Sequence, residues 1–428
     1  MKTYTNPAKN TWATIIKRPE KEANTLGATV KSVFDDVKAN GDEALRVYTQ
    51  KFDGVALSNL KVSQQEIDAA ISLVSEELKA AIALAKNNVE KFHESQKIEK
   101  QIISTVKGVD CWQEMKPIEK VGLYIPGGSA PLFSTILMLG VPAKIAGATK
   151  IVLCTPPSKD GTIHPAILFA AQLVGVTEIY KLGGIQAIAA MTYGTDSVPG
   201  VYKIFGPGNQ FVTAAKQYAL TQGLAIDMPA GPSEVMVVAD KNADASFVVA
   251  DLLSQAEHGA DSQVILVTAS QQLIDKVQVE LEKQLAELPR KEVAALAIEN
   301  SSAILIDSIE DQNELINEYA PEHLILNVLK EDVYLDKIVN AGSVFIGPLT
   351  PESAGDYASG TNHTLPTNGY ARMYSGVNLD AFTKKITYQK ISAKGIQNIG
   401  PAIELMAAAE GLDAHKNAVT LRLESLKE

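Results

Sequence analysis

The chain has 428 residues, 46% of them hydrophobic and 21% charged, with a formal net charge of −11, a balance that places it with globular proteins of roughly two or three domains. So acidic a chain is repelled by nucleic acid and by anionic membrane surfaces, which leaves small molecules as the expected partners. Two cysteines, Cys111 and Cys154, cannot build a disulfide framework, and Met1-Lys2-Thr3-Tyr4 leads into no apolar signal segment, so a cytoplasmic location is expected.

Residues 1–24 are polar apart from 12–17 and read as an arm that packs on another part of the protein. A helical period runs through 28–52 and 63–92, with Val30, Val33, Phe34 and Val37 marking one face and Ile67, Ile71, Val74 and Leu78 another. From Val121 onward short apolar runs alternate with helices: strands at 121–125, 151–155, 178–182 and 202–205, helices at 131–146, 164–174, 186–193 and 209–222. The run from Ala130 to Ala148 is apolar, but Pro131, Gly140, Pro142 and Lys144 interrupt it, so it reads as a buried helix and not a membrane span. A second series of strands follows at 235–239, 263–268, 303–306, 323–327 and 343–346, after a junction near Ala230-Gly231-Pro232. Two α/β domains with parallel sheets covered on both faces are the simplest reading. The tail from about Asn378 ends in a helix over 413–427.

Glycine clusters stand where strands of the first series hand over to helices: Ile125-Pro126-Gly127-Gly128, Leu182-Gly183-Gly184 and Phe205-Gly206-Pro207-Gly208-Asn209. Ligands of open α/β sheets bind at such strand ends. The dinucleotide fingerprint is incomplete, because Phe211 stands where a third glycine or alanine belongs, and tight turns without a ligand would read the same way.

A helix over 247–258 would align Asp251, Gln255 and His258 on one face, with Gly259 as its stop. An amide oxygen and an imidazole one turn apart suit zinc better than magnesium or calcium, although a solvated helix end is the plainer reading. In Ala320-Pro321-Glu322-His323-Leu324 a carboxylate and an imidazole stand side by side before a strand, fit for water activation and proton transfer or for an ordinary strand entry. The segment 353–363, holding Asp356 and His363, is too rich in small and polar residues for core and reads as a long functional loop. In the last helix His415 shares a face with Val419, Leu423 and Leu426, so it points toward whatever that helix packs on.

Taken together, Val121-Gly122-Leu123-Tyr124-Ile125-Pro126-Gly127-Gly128, Asp227-Met228-Pro229-Ala230-Gly231-Pro232-Ser233-Glu234, Ser254-Gln255-Ala256-Glu257-His258-Gly259, Ala320-Pro321-Glu322-His323-Leu324 and Gly355-Asp356-Tyr357-Ala358-Ser359-Gly360-Thr361-Asn362-His363 resemble the histidinol dehydrogenase family, in order over nearly the whole chain. The first hundred residues carry no such motif. The resemblance implies two incomplete Rossmann-like domains with parallel sheets, an N-terminal helical arm and a C-terminal helical tail. The arm would be 1–24, a discontinuous metal and substrate domain 25–120 with 235–377, an NAD-binding domain 121–234, and a tail exchanged between subunits 378–428.

It also implies two NAD-dependent oxidations, of L-histidinol to L-histidinaldehyde and then to L-histidine, the last steps of histidine biosynthesis, in a homodimer with shared active sites and one zinc ion per subunit. By motif the zinc ligands would be Gln255, His258, Asp356 and His415, with His323 as acid and base and Glu322 activating water. NAD would meet Tyr124, Gln186 and Asn209. Substrate would meet Ser233, Gln255, His258, His323, Asp356, His363, Glu410 and His415. Competing readings are a thiohemiacetal on Cys154 within the same chemistry, a zinc hydrolase using the same metal ligands, and a two-lobed binding protein with a structural metal.

Overall fold

The computed structural model describes residues 1–19, 26–127, 131–176, 178–229 and 231–427. The expected junction at Ala230, the glycine Gly128, Ala130 and the end of the expected arm at 20–24 lie outside the described residues. The chain forms two units, Met1–Ser95 with Ile118–Phe382, and Gln96–Pro117 with Thr383–Glu428.

The first unit contains two open sheets. The larger has six parallel strands in the spatial order Lys2–Thr5, Ser302–Leu305, Gln263–Thr268, Glu234–Ala239, His323–Asn327 and Ser343–Ile346. Its central strands are near-continuous runs of Val, Ile and Leu because helices cover both faces, leaving no solvent side that would call for alternation. The smaller sheet has five parallel strands in the order Glu178–Lys181, Lys150–Thr155, Lys120–Tyr124, Lys203–Phe205 and Ala225–Ile226. The strand order reverses between Lys120–Tyr124 and Lys203–Phe205, the arrangement of a Rossmann-like half. Among the described residues no helix is long and apolar enough to cross a membrane.

Several expectations are corrected here. The arm carries its expected helix, at Trp12–Ile15, preceded by a strand the sequence did not announce, Lys2–Thr5, paired in parallel with Ser302–Leu305. The helices Leu26–Tyr48, Gln64–Ser72 and Glu76–Glu94 do not group with 235–377. Val30, Val33, Phe34 and Val37 pack with Tyr180, Ile188 and Met191, and Ile67, Ile82 and Val89 pack with Val121, Ile136 and Leu137, all on the smaller sheet. That sheet's own crossover helices are only 9 to 14 residues long, so the earlier helices complete the cover that a parallel sheet requires.

The expected loop at 353–363 opens instead as a helix, Glu352–Tyr357. The helix expected over 247–258 is Ala245–Ala256, which leaves His258 in the turn beyond it and not on the helical face.

In the second unit, Ile102–Val106, Val109–Pro117 and Thr383–Ile391 form an antiparallel sheet, so the tail is of mixed α/β structure and draws 102–117 away from the domain expected over 25–120. Its helices Ala393–Ala409 and Asp413–Glu424 pack where Gly400 leaves room: a Cβ there would stand 2.9 Å from Leu423 Cδ1. His415 does not follow Leu423 into that contact and is exposed, contrary to its expected orientation.

Candidate active site

Helices in parallel α/β layers run back against the strands, so a helix C-terminus arrives beside strand amino ends. Gln255, in the last turn of Ala245–Ala256, thereby meets His323, the first residue of His323–Asn327. The turn before that strand is tight: Ala320 takes a left-handed conformation at φ 52°, a costly one for a residue with a Cβ. Gly342 permits close approach there, since a Cβ would come within 2.5 Å of the Glu322 carbonyl oxygen.

Glu322 and His323 are both buried and both tied to one neighbour. The N–H of Glu234 donates to Glu322 Oε2 at 2.9 Å, and His323 Nδ1 donates to the Glu234 carbonyl at 3.1 Å. With Nδ1 so engaged, the ring turns Nε2 inward, 3.8 Å from Asp356 Oδ1 and without a hydrogen-bond partner. Gln255 Nε2 donates to Glu352 Oε1, while Gln255 Oε1 is buried and unpartnered. His323, Glu352 and Asp356 offer ligand atoms within 4.8 Å of one another.

Burial opposes charge on His323, but Glu322 and Glu352 outweigh it and hold its pKa well above the usual histidine range. Burial pushes Glu352 up to about 8, against the pull of His323. Burial also works against the Asp356 carboxylate, yet the neighbouring imidazole of His323 and the fields of His363 and His258 keep its pKa below the ordinary value. Burial lowers the pKa of His363, whose Nε2 is a further buried atom without a partner. Gln255 Oε1, buried without a partner, and the Asp356 carboxylate are oxygen donors that fit a zinc ion.

Of the residues picked from sequence, Gln255, Glu322, His323 and Asp356 come together, and His258 and His363 lie within electrostatic reach of Asp356. Ser233 immediately precedes the strand Glu234–Ala239. Glu410 and His415 belong to the second unit, with exposed side chains. Sequence reasoning passed over Glu234 and Glu352 as site residues, because nothing in the sequence signalled their burial beside Glu322 and His323.

A second polar cluster stands at the carboxyl ends of the smaller sheet. Tyr124 ends its strand, and its hydroxyl accepts from Gly184 N at 3.0 Å. Gln186, in the first turn of Gly184–Tyr193, is fully buried with neither amide atom partnered. Asn209 caps Gln210–Thr221, accepting from Phe211 N at 3.0 Å and Val212 N at 3.2 Å. Asp53 joins them unannounced by any motif: its Oδ2 is buried without a partner, and a Cβ on Gly183 would stand 3.3 Å from its Oδ1. Unmet hydrogen-bonding groups at this edge of a Rossmann-like sheet fit a dinucleotide. Cys154 is fully buried in the same layer, and burial pushes its thiol far up.

A buried carboxylate and imidazole side by side on one parallel sheet, with a Rossmann-like sheet whose ligand edge carries unmet polar groups, are the parts of an oxidoreductase of the dehydrogenase class. The family model for histidinol dehydrogenase matches residues 16–423. The chain is 60% identical over 427 residues to a histidinol dehydrogenase of Bacteroides thetaiotaomicron, covering 100% of each, and 52% identical to that of Escherichia coli K12, covering 97% of this chain and 95% of the relative. The crystal structure of histidinol dehydrogenase from Elizabethkingia anophelis superposes with a TM-score of 0.98 at 59% identity, over 100% of this chain and 99% of that one. The chain belongs to the histidinol dehydrogenase family.

Proposed function

We propose that the protein carries out two successive NAD-dependent oxidations, of L-histidinol to L-histidinaldehyde and of the aldehyde to L-histidine, as the closing steps of histidine biosynthesis in the cytoplasm. The observation that carries this reading is the gathering of Gln255, Glu322, His323 and Asp356, with His323 Nε2 and Gln255 Oε1 buried and unpartnered, in a chain of this family.

Zinc would be held by Gln255, His258, Asp356 and, from the tail, His415, and when bound it supplies a Lewis-acidic anchor for the substrate. NAD would be held by residues 121–234 through Tyr124, Gln186 and Asn209, and it supplies the hydride acceptor. The larger sheet's residues 235–377 would carry the metal and substrate site, with Ser233, His363 and Glu410 completing the substrate contacts. The tail would be exchanged in a homodimer, so that each site draws on both subunits.

The chain's own groups then divide the proton work. His323 Nε2 takes the alcohol proton as hydride leaves, while the Nδ1 bond to Glu234 fixes the ring's tautomer and orientation. Aldehyde oxidation needs a hydrate first. Glu322, pinned by the Glu234 N–H at Oε2, keeps Oε1 to draw a proton from the water that adds to the carbonyl. The buried thiol of Cys154 disfavours a covalent thiohemiacetal in its place.

The test is the yield of NADH from limiting L-histidinol with protein of assayed zinc content. Two NADH per histidinol, lost on chelation and regained with zinc, is the expected result. One NADH would remove the aldehyde step and the role of Glu322, and none from metallated protein would overturn the dehydrogenase chemistry assigned to this site.

A further inference from the structure

We propose that Glu352 is a positioning residue that sets which face of the Gln255 amide meets the metal, an inference that rests on the zinc reading above. Three residues of the helix Ala245–Ala256, at i, i+3 and i+4, converge on residue 352. The Asp251 carboxylate accepts from its backbone N–H, Ser254 Oγ donates to its Oε2 at 3.3 Å, and Gln255 Nε2 donates to its Oε1. The side chain they hold is 1% exposed, so water does not compete for it.

Glu352 Oε1 accepts a hydrogen bond from Gln255 Nε2, and only the NH2 end of an amide can donate. Of the two nearly isosteric ends of the Gln255 amide it therefore selects the NH2 group, and the planar amide must aim Oε1 the other way. That oxygen is buried and has no protein partner. Without Glu352 the amide is free to turn over and present Nε2, which has no lone pair to give a cation. Glu352 thus serves the metal from one bond away, as outer partners of ligating groups do. Its nearness to His323 and Asp356 would also let it act as a ligand, but both its oxygens are already engaged by Gln255 and Ser254.

Zinc dissociation constants of the full-length protein, measured by competition with a chromophoric chelator, test this in Gln255→Ala, Glu352→Ala, Glu352→Gln and the Gln255→Ala/Glu352→Ala double variant. Glu352→Ala should weaken zinc by roughly 10–100-fold. Glu352→Gln, whose amide oxygen can still accept from Gln255, should lose much less and keep the visible spectrum of the cobalt(II)-substituted protein. The double variant should bind no more weakly than Gln255→Ala, because the effect passes through Gln255. Losses that add in the double variant, or a changed cobalt spectrum in Glu352→Gln, would make Glu352 a ligand and overturn the proposal. Unchanged affinity in Glu352→Ala would overturn it as well. Thermal unfolding of each metal-free variant separates a folding defect from a metal defect. Wild-type protein that binds neither zinc nor cobalt would instead overturn the metal reading itself.

Discussion

The carboxylate of Glu234 is gripped by Arg18, with Nε to Oε1 at 2.6 Å and Nη2 to Oε2 at 2.8 Å. Arg18 comes from the N-terminal arm, 216 positions away in sequence. Its guanidinium lies 4.0 Å from the centre of the Tyr319 ring and donates to the Tyr319 carbonyl at 2.8 Å. Glu234 in turn holds Glu322 and His323 through its backbone. One residue, Glu234, therefore separates the arm from Glu322 and His323, so the arm's conformation bears on stability and, through the proton work proposed for that pair, on turnover.

Removing the guanidinium would strand a buried carboxylate. Arg18→Ala should destabilise the protein by about 3–5 kcal/mol, the usual cost of breaking a buried pair from one side, and should lower kcat. Arg18→Lys should fall between, since an ammonium cannot reproduce the two-pronged bond. Urea denaturation and steady-state kinetics check both. A loss in Arg18→Ala below about 1 kcal/mol, the range of exposed pairs, would mean the contact acts as a surface bridge.

Glu322→Gln keeps shape and loses the base. If Glu322 activates water, aldehyde oxidation should slow by about 10²–10⁴-fold, the usual worth of a general base, while the alcohol step is affected far less. Supplying each substrate separately reads the two steps, and equal losses at both would remove the assignment. Cys154→Ala should spare both steps and cost only stability, because the thiol is buried core.

Much of the larger sheet is legible in sequence because buried parallel strands leave a compositional trace. Gln263–Thr268, His323–Asn327 and Ser343–Ile346 are apolar runs bounded by polar turns, and their limits coincide with those read from the chain. Strands without a buried face leave no such trace. All five residues of Ile102–Val106 are exposed, and Thr383–Ile391 carries three lysines at Lys384, Lys385 and Lys390. Glu352–Tyr357 reads as loop because Ser353, Ala354 and Gly355 have no amphipathic period. In the site, Glu322, His323, Gln255 and Asp356 could be picked out because their motifs are local. Glu234 escaped because it works through its backbone, and Glu352 because a carboxylate in a polar segment gives no sign of being buried.

Asp53 offers a pH test away from Glu322 and His323. Burial pushes its pKa up to about 6, only partly offset by Lys159. A carboxyl raised on folding binds more protons in the folded than in the unfolded state between its two pKa values, so its contribution to stability falls as pH rises from about 4 to about 6. Above that window the charged form carries the whole penalty. Asp53→Asn should therefore raise Tm at pH 8, with the gain shrinking toward pH 4. A gain independent of pH would show that the charge is not the cause.

The proposed exchange of tails makes a quantitative demand on mixtures of inactive subunits. His258 lies in the first unit and His415 in the second, and both are named as ligands of one zinc ion, so His258→Ala and His415→Ala should each be inactive and short of metal. If the tail of one subunit completes the site of the other, a heterodimer of the two variants holds one site carrying both defects and one carrying neither. Random exchange of equal amounts makes half of all dimers heterodimers, so about one site in four should be intact in a symmetric dimer with shared sites. Activity and bound zinc should both recover to roughly that fraction of wild type after mixing. Tails that fold back on their own subunit would leave every site with one defect, and neither quantity would recover. Following subunit exchange with two affinity tags makes that outcome decisive, because absent recovery then counts against shared sites and not against mixing.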